Sequence, residues 1–158
     1  VEKHAAESTL PRGGKSFRAA GWTLRSLAVA HLLAVLAQPV LAGRFLSGDY
    51  AMLQFHRLVG TAVLIISGLQ IVAAAVYRRL GGPAWPIRAG ARILAVEGLQ
   101  FYLGLHRVLG LHIPVGVLLV VWLVHLTRRL WQPPGPAPEQ APEQAPEQAP
   151  EQAPGPIG

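Results

Sequence analysis

Residues 108–127 read VLGLHIPVGVLLVVWLVHLT, with no charged side chain anywhere in the stretch. A helix rises 1.5 Å per residue, so about 20 apolar residues cross a bilayer core of roughly 30 Å. The stretch therefore predicts a membrane-spanning helix. Three more follow from the same criterion, working back along the chain. Residues 87–105 are interrupted by Arg88, Arg92 and Glu97, residues 50–79 carry Arg57 near one end, and residues 22–46 carry Arg25 near their start. With the fourth span taken as 107–130, the expected fold is all-α, a four-helix transmembrane bundle over residues 21–131. Pro39, Gly60, Gly68 and Pro114 fall inside these spans, where membrane helices tolerate them. At its length the first span is expected to be retained, not cleaved as a signal peptide.

Composition agrees. The chain has 158 residues, of which 51% are apolar and 14% charged, and it has no cysteine. Soluble domains carry about a quarter charged residues. Absence of cysteine excludes a disulfide scaffold, a thiolate metal site and covalent c-type haem attachment. No Ser/His/acid or paired-carboxylate constellation supports a hydrolase. The net charge of +6 is explained by topology better than by nucleic-acid binding. Lys3, Arg12, Lys15, Arg18 and Arg25 precede or open the first span, Arg78, Arg79, Arg88 and Arg92 lie between the second and third, and Arg128 and Arg129 close the fourth. The positive-inside rule then places both termini in the cytoplasm of a bacterial cell, with the chain multi-pass in the inner membrane.

Residues 137–152 are four Ala-Pro-Glu-Gln repeats. Proline at every fourth position blocks helix and sheet, so residues 132–158 are expected to form a disordered tail, either a solvated spacer or a docking segment. Residues 1–20 are expected to be a disordered basic segment.

Five histidines, His31, His56, His106, His112 and His125, fall in or beside the spans. Ionisable side chains at membrane depth are costly and mark cofactor, proton or substrate sites, although a neutral imidazole can also simply bond a neighbouring helix. His56, His106 and His112 are each followed at the fourth position by glycine: Gly60, Gly110 and Gly116. Residues i and i+4 share a helix face, so each glycine clears space beside an imidazole, room for a ligated macrocycle or for a closely packed helix. His56, Gly60, Val63, Ser67 and Gln70 form a small or polar stripe expected to face the interior.

The chain also repeats. Gln38-Pro-Val-Leu41-Ala precedes His56-Arg-Leu-Val59-Gly60, and Gln100-Phe-Tyr-Leu103-Gly precedes His112-Ile-Pro-Val115-Gly116. A parallel repeat sets His56 and His112 face to face across a pseudo-twofold axis along the membrane normal. Opposed imidazoles on facing helices suit one hexacoordinate haem b, with Gly60 and Gly116 lining it. A rival register aligns His56-Arg57 with His106-Arg107 and makes His106 the alternative ligand. Arg57 and Arg107 are candidates for pairing haem propionates, or interfacial anchors. His31 and His125 form a second candidate pair, for a second haem or a quinone, or are packing histidines. Glu97 and Gln100 share one face of the third span, where the acid is a proton-relay candidate or a partner of Arg92 or a histidine.

At these Gln-x-x-Leu and His-x-x-Val-Gly segments, and at Leu-His-Ile-Pro-Val-Gly, residues 22–130 resemble small four-helix membrane proteins of high-GC bacteria. The His-Arg pairs resemble those of the haem-binding halves of haem A synthase, and the general plan resembles cytochrome b561-type bundles. In haem A synthase a Glu stands three positions before the His-Arg pair. Here Leu53 and Leu103 stand there, a departure that argues against haem A synthesis and leaves haem binding open. The resemblance implies axial roles for His56 and His112. Two functions are carried forward. One is a membrane b-type cytochrome, either a small quinone-linked carrier or a haem-bearing anchor of a larger redox complex, an electron-transfer protein more than a stand-alone enzyme. The other is a cofactor-free accessory or assembly subunit of a membrane complex.

Overall fold

The computed structural model describes residues 13–132. The Ala-Pro-Glu-Gln tail and residues 1–12, both expected to lack order, lie outside the described residues. Four helices account for nearly all of the rest: α1 (Gly13–Leu46), α2 (Met52–Arg79), α3 (Trp85–Leu105) and α4 (Leu109–Trp131). Among the described residues there is no strand. Each helix packs on its chain neighbours and α4 closes on α1, so the helices form an up-down-up-down ring, with the side chain of His31 on α1 reaching across it to Glu97 on α3.

Several boundaries differ from expectation, three of them for a local reason. Helix α1 starts at Gly13, inside the stretch expected to be disordered. Nothing from Lys15 to Ala20 breaks a helix, and Phe17 stacks on Tyr77 of α2 at 4.8 Å between ring centroids. Helix α3 starts at Trp85, with Pro86 in its first turn, where the missing N–H costs no bond. Helix α4 starts at Leu109, because Arg107 adopts φ 57° in the tight turn after α3.

Helices α1, α2 and α4 are long and apolar enough to cross a membrane. Helix α3 has 21 residues, enough length, but Arg88, Arg92 and Glu97 lower its apolarity. The outward surface suits lipid: Leu33, Val40, Leu58, Ile65, Val117 and Leu118 are all more than half exposed. A soluble monomer does not display such a continuous apolar coat.

The buried positions carry the internal repeat further than the motifs do. Helix α1 buries Leu24, Ala28, His31 and Val35, and α3 buries Pro86, Gly90, Ile93 and Glu97 at the same spacing. Helix α2 buries Val63, Ser67, Gln70 and Ala74, matched in α4 by Leu119, Leu123, Leu126 and Leu130. The halves thus bury equivalent positions but not equivalent chemistry. Four leucines fill the interior from α4, where α2 brings smaller and polar side chains. Gly90 lets α2 approach α3, since a Cβ there would stand 3.1 Å from Ile71 Cγ1. At the end where both hairpins open, Arg25 Nε donates to the Leu130 carbonyl at 2.8 Å and tethers α1 to the last turn of α4.

Candidate functional site

Two polar layers cross the bundle. The first lies near the α1–α2 and α3–α4 turns and contains both repeats of the Gln/His motif. His56 Nδ1 donates to the Gln38 carbonyl at 3.2 Å, while Gln38 Nε2 donates to the His56 carbonyl at 3.2 Å. In the other half His112 Nδ1 donates to the Gln100 carbonyl at 3.0 Å, and Gln100 Nε2 donates to the His112 carbonyl at 2.7 Å. Each hairpin is therefore closed by a reciprocal pair of bonds between one glutamine and one histidine. The imidazoles of the two halves come together, with ring centroids 6.3 Å apart and planes inclined by 61°.

This layer explains the glycine four residues after each of these two histidines. A helical side chain leans toward the N-terminus and covers the turn before it. A side chain at 60 or 116 would therefore lie over the carbonyl of His56 or His112, which the glutamine must reach. A Cβ at Gly60 would stand 3.4 Å from Gln38 Nε2, and one at Gly116 only 2.9 Å from Gln100 Nε2. The gap expected beside a macrocycle is thus occupied by a carboxamide. No such partner meets Gly110, where a Cβ would touch nothing within 4 Å, so the third His-x-x-x-Gly match has no equivalent role. His106 is the exposed C-cap of α3 and lies against Tyr102, with ring centroids 4.2 Å apart. The hydrogen-bonded register therefore pairs His56 with His112. Arg57 and Arg107 are exposed beside this layer.

Hydrogen bonding fixes the chemistry of the two rings. A carbonyl oxygen can only accept, so each Nδ1 carries a hydrogen and each neutral ring keeps its lone pair on Nε2. Metal-binding histidines are prepared in this way, one ring nitrogen bonded to a backbone carbonyl and the other available. Metal–nitrogen bonds of about 2 Å, with the ring radius added on each side, put trans imidazole centroids roughly 6 Å apart. Two imidazoles at this separation, each with its Nε2 lone pair free, could hold a metal between them. Among the described residues no group of three or more His, Cys, Asp or Glu side chains could hold a bare metal ion. A pair of imidazoles can serve a metal whose remaining positions are filled by a macrocycle.

The second layer lies deeper. His31, 1% exposed, bonds through Nδ1 to Gln70 Oε1 at 2.9 Å and through Nε2 to Glu97 Oε1 at 2.6 Å. Glu97 is 3% exposed, and Arg92, the alternative partner, points to the exposed surface. With both ring nitrogens engaged, His31 has no lone pair available to a metal. His125 is exposed on α4. The second candidate pair is therefore corrected: the sequence placed both histidines at similar depth, but rotation about the helix axes buries one and turns the other outward.

Among the described residues, three buried acceptor oxygens have no partner: Gln38 Oε1, Gln100 Oε1 and Glu97 Oε2. Sequence reasoning used the two glutamines as markers of the repeat but not as partners of the histidines. Their recurrence ahead of each His-x-x-Val-Gly was the signal available. No protein-family model, curated protein or solved structure matches the chain.

Proposed function

We propose that this chain is a four-span membrane cytochrome b in which His56 and His112 hold one haem b across the pseudo-twofold axis. The observation that carries the reading is the pair of imidazoles 6.3 Å apart, each tied through Nδ1–H to a glutamine carbonyl. A haem bound there supplies one-electron transfer at its iron. The protein's part is to orient both rings through Gln38 and Gln100 and to surround the site with apolar helices. Gly60 and Gly116 act through the glutamines, and Arg57 is near enough in sequence to His56 to pair a propionate.

Helix α3 is read as the third span, which brings the spans to four. Glu97 lies in the interior bonded to His31, which lowers the cost of carrying an acid at that depth. The arginines at the open ends of the hairpins support a reading with both termini on the cytoplasmic side of a bacterial inner membrane. Electron exchange with a quinone or with the subunits of a larger redox complex follows from that location.

The test is a dithionite-reduced minus oxidised spectrum of the detergent-purified chain, with a pyridine haemochrome assay. One b-type haem per chain, lost in His56→Ala and in His112→Ala, is the expected result. A haem retained by both variants refutes the ligand assignment. A second reading is favoured by the carboxamides that occupy the space over Gly60 and Gly116: the Gln/His pairs then serve as helix clamps in a cofactor-free accessory subunit. That reading expects a colourless protein, even with haem supplied during expression, that co-purifies with larger partners.

A further inference from the structure

The second polar layer has no part in ligation, and the fold does not require it. In the other half, the positions equivalent to His31, Gln70 and Glu97 are Ile93, Leu126 and Val35, all buried and apolar. The same backbone therefore packs well with hydrocarbon at these positions. An acid and an imidazole placed there carry a desolvation cost that packing alone does not repay.

Proton counting shows what the cluster can do. Gln70 Oε1 accepts, so His31 Nδ1 carries a hydrogen. One further proton lies between His31 Nε2 and Glu97 Oε1, and in that state the pair is neutral overall. Glu97 Oε2 is buried without a partner and can take a second proton, which leaves an imidazolium beside a carboxylic acid, a net charge of +1. Gln70 of α2 bonds the pair, and Ser67 of α2 and Leu123 and Leu126 of α4 are buried in the same interior. Among the described residues no other titratable side chain is buried. Glu97 stands one turn before Gln100 on α3, and His31 two turns before Gln38 on α1. Gln38 and Gln100, which also carry unpartnered buried oxygens, thus follow the pair along α1 and α3 and bond His56 and His112.

We propose that His31 and Glu97 form a proton-exchange site coupled to the redox site. When a donor of the quinol class adds one electron at the haem held by His56 and His112, one proton from bulk water binds Glu97 Oε2. The added negative and positive charges then cancel within the low-dielectric interior. This deepens the cytochrome reading and rests on it.

Two measurements on the full chain test it. Reduced-minus-oxidised infrared spectra are expected to show a protonated-carboxyl band gained on reduction and missing in Glu97→Gln. Redox titration across pH 5–9 is expected to show the reduction equilibrium shifting up to tenfold per pH unit, about 59 mV for one electron, and a flat profile in Glu97→Gln. A carboxyl signal that does not change on reduction, or an unchanged slope in Glu97→Gln, overturns the proposal. If the purified chain holds no haem, the cytochrome reading fails first and the coupling falls with it. Should Glu97→Gln not fold, the variant carrying His31→Ile, Gln70→Leu and Glu97→Val supplies the proton-free comparison.

Discussion

Replacing Gly116 by alanine tests the account of the Gln/His motif. The new Cβ would stand 2.9 Å from Gln100 Nε2, which now donates to the His112 carbonyl at 2.7 Å. The carboxamide is the far end of a flexible side chain, so it swings aside and its hydrogen bond is lost. Interhelical hydrogen bonds in a membrane contribute about 0.6 kcal/mol on average and up to about 1.7 kcal/mol. Against this, alanine is favoured over glycine inside a helix by up to about 1 kcal/mol. The two effects nearly offset, so the single substitution is expected to move stability little. The coupling is the informative quantity. In a double-mutant cycle with Gln100→Leu, Gly116→Ala should show an interaction energy of about 0.6–1.7 kcal/mol, because without the carboxamide there is nothing left to displace. The matching cycle of Gly60→Ala with Gln38→Leu should give less, since that Cβ would lie at 3.4 Å, ordinary contact, and the bond it crowds is already 3.2 Å long. Reversible unfolding in mixed detergent micelles measures both cycles. Additive energies for Gly116 and Gln100, within about 0.3 kcal/mol, would refute the claim that the glycine bares the carbonyl for the glutamine.

Other consequences can be measured on the same material. On the cytochrome reading, His56→Ala and His112→Ala should each abolish haem binding, whereas His106→Ala and His125→Ala should leave its stoichiometry unchanged by pyridine haemochrome assay, both latter rings being exposed. Gly104→Ala should disturb the visible spectrum, because its Cβ would stand 3.0 Å from His112 Cε1. Gly98→Ala, with nothing within 4 Å, should not. Glu97→Val alone strands His31 and should cost about 3–5 kcal/mol in the unfolding assay. Exchanging the whole cluster for its symmetry mates, with His31→Ile, Gln70→Leu and Glu97→Val together, should recover most of that loss; a triple variant as unstable as the single one would contradict the equivalence of the halves.

The sequence by itself determined four helices and a two-fold repeat. Charge-free runs such as 108–127 and the proline near the start of α3 act locally, and the Gln-x-x-Leu and His-x-x-Val-Gly blocks can be aligned without coordinates. It also placed Val63, Ser67 and Gln70 on one inward stripe, since their spacing follows the helical period, and the structure buries all three. Tertiary structure decided the partners. His31 meets Gln70 and Glu97 across 39 and 66 residues of chain, while His125, at a comparable depth, faces outward. Only the assembled hairpins show that Gly60 and Gly116 make way for carboxamides, and that His112, not His106, stands opposite His56. The reason is physical. In a membrane helix the lipid face and the packed face are both apolar, so periodicity says little about rotation. Which polar groups meet is then set by how the four helices turn and slide against one another.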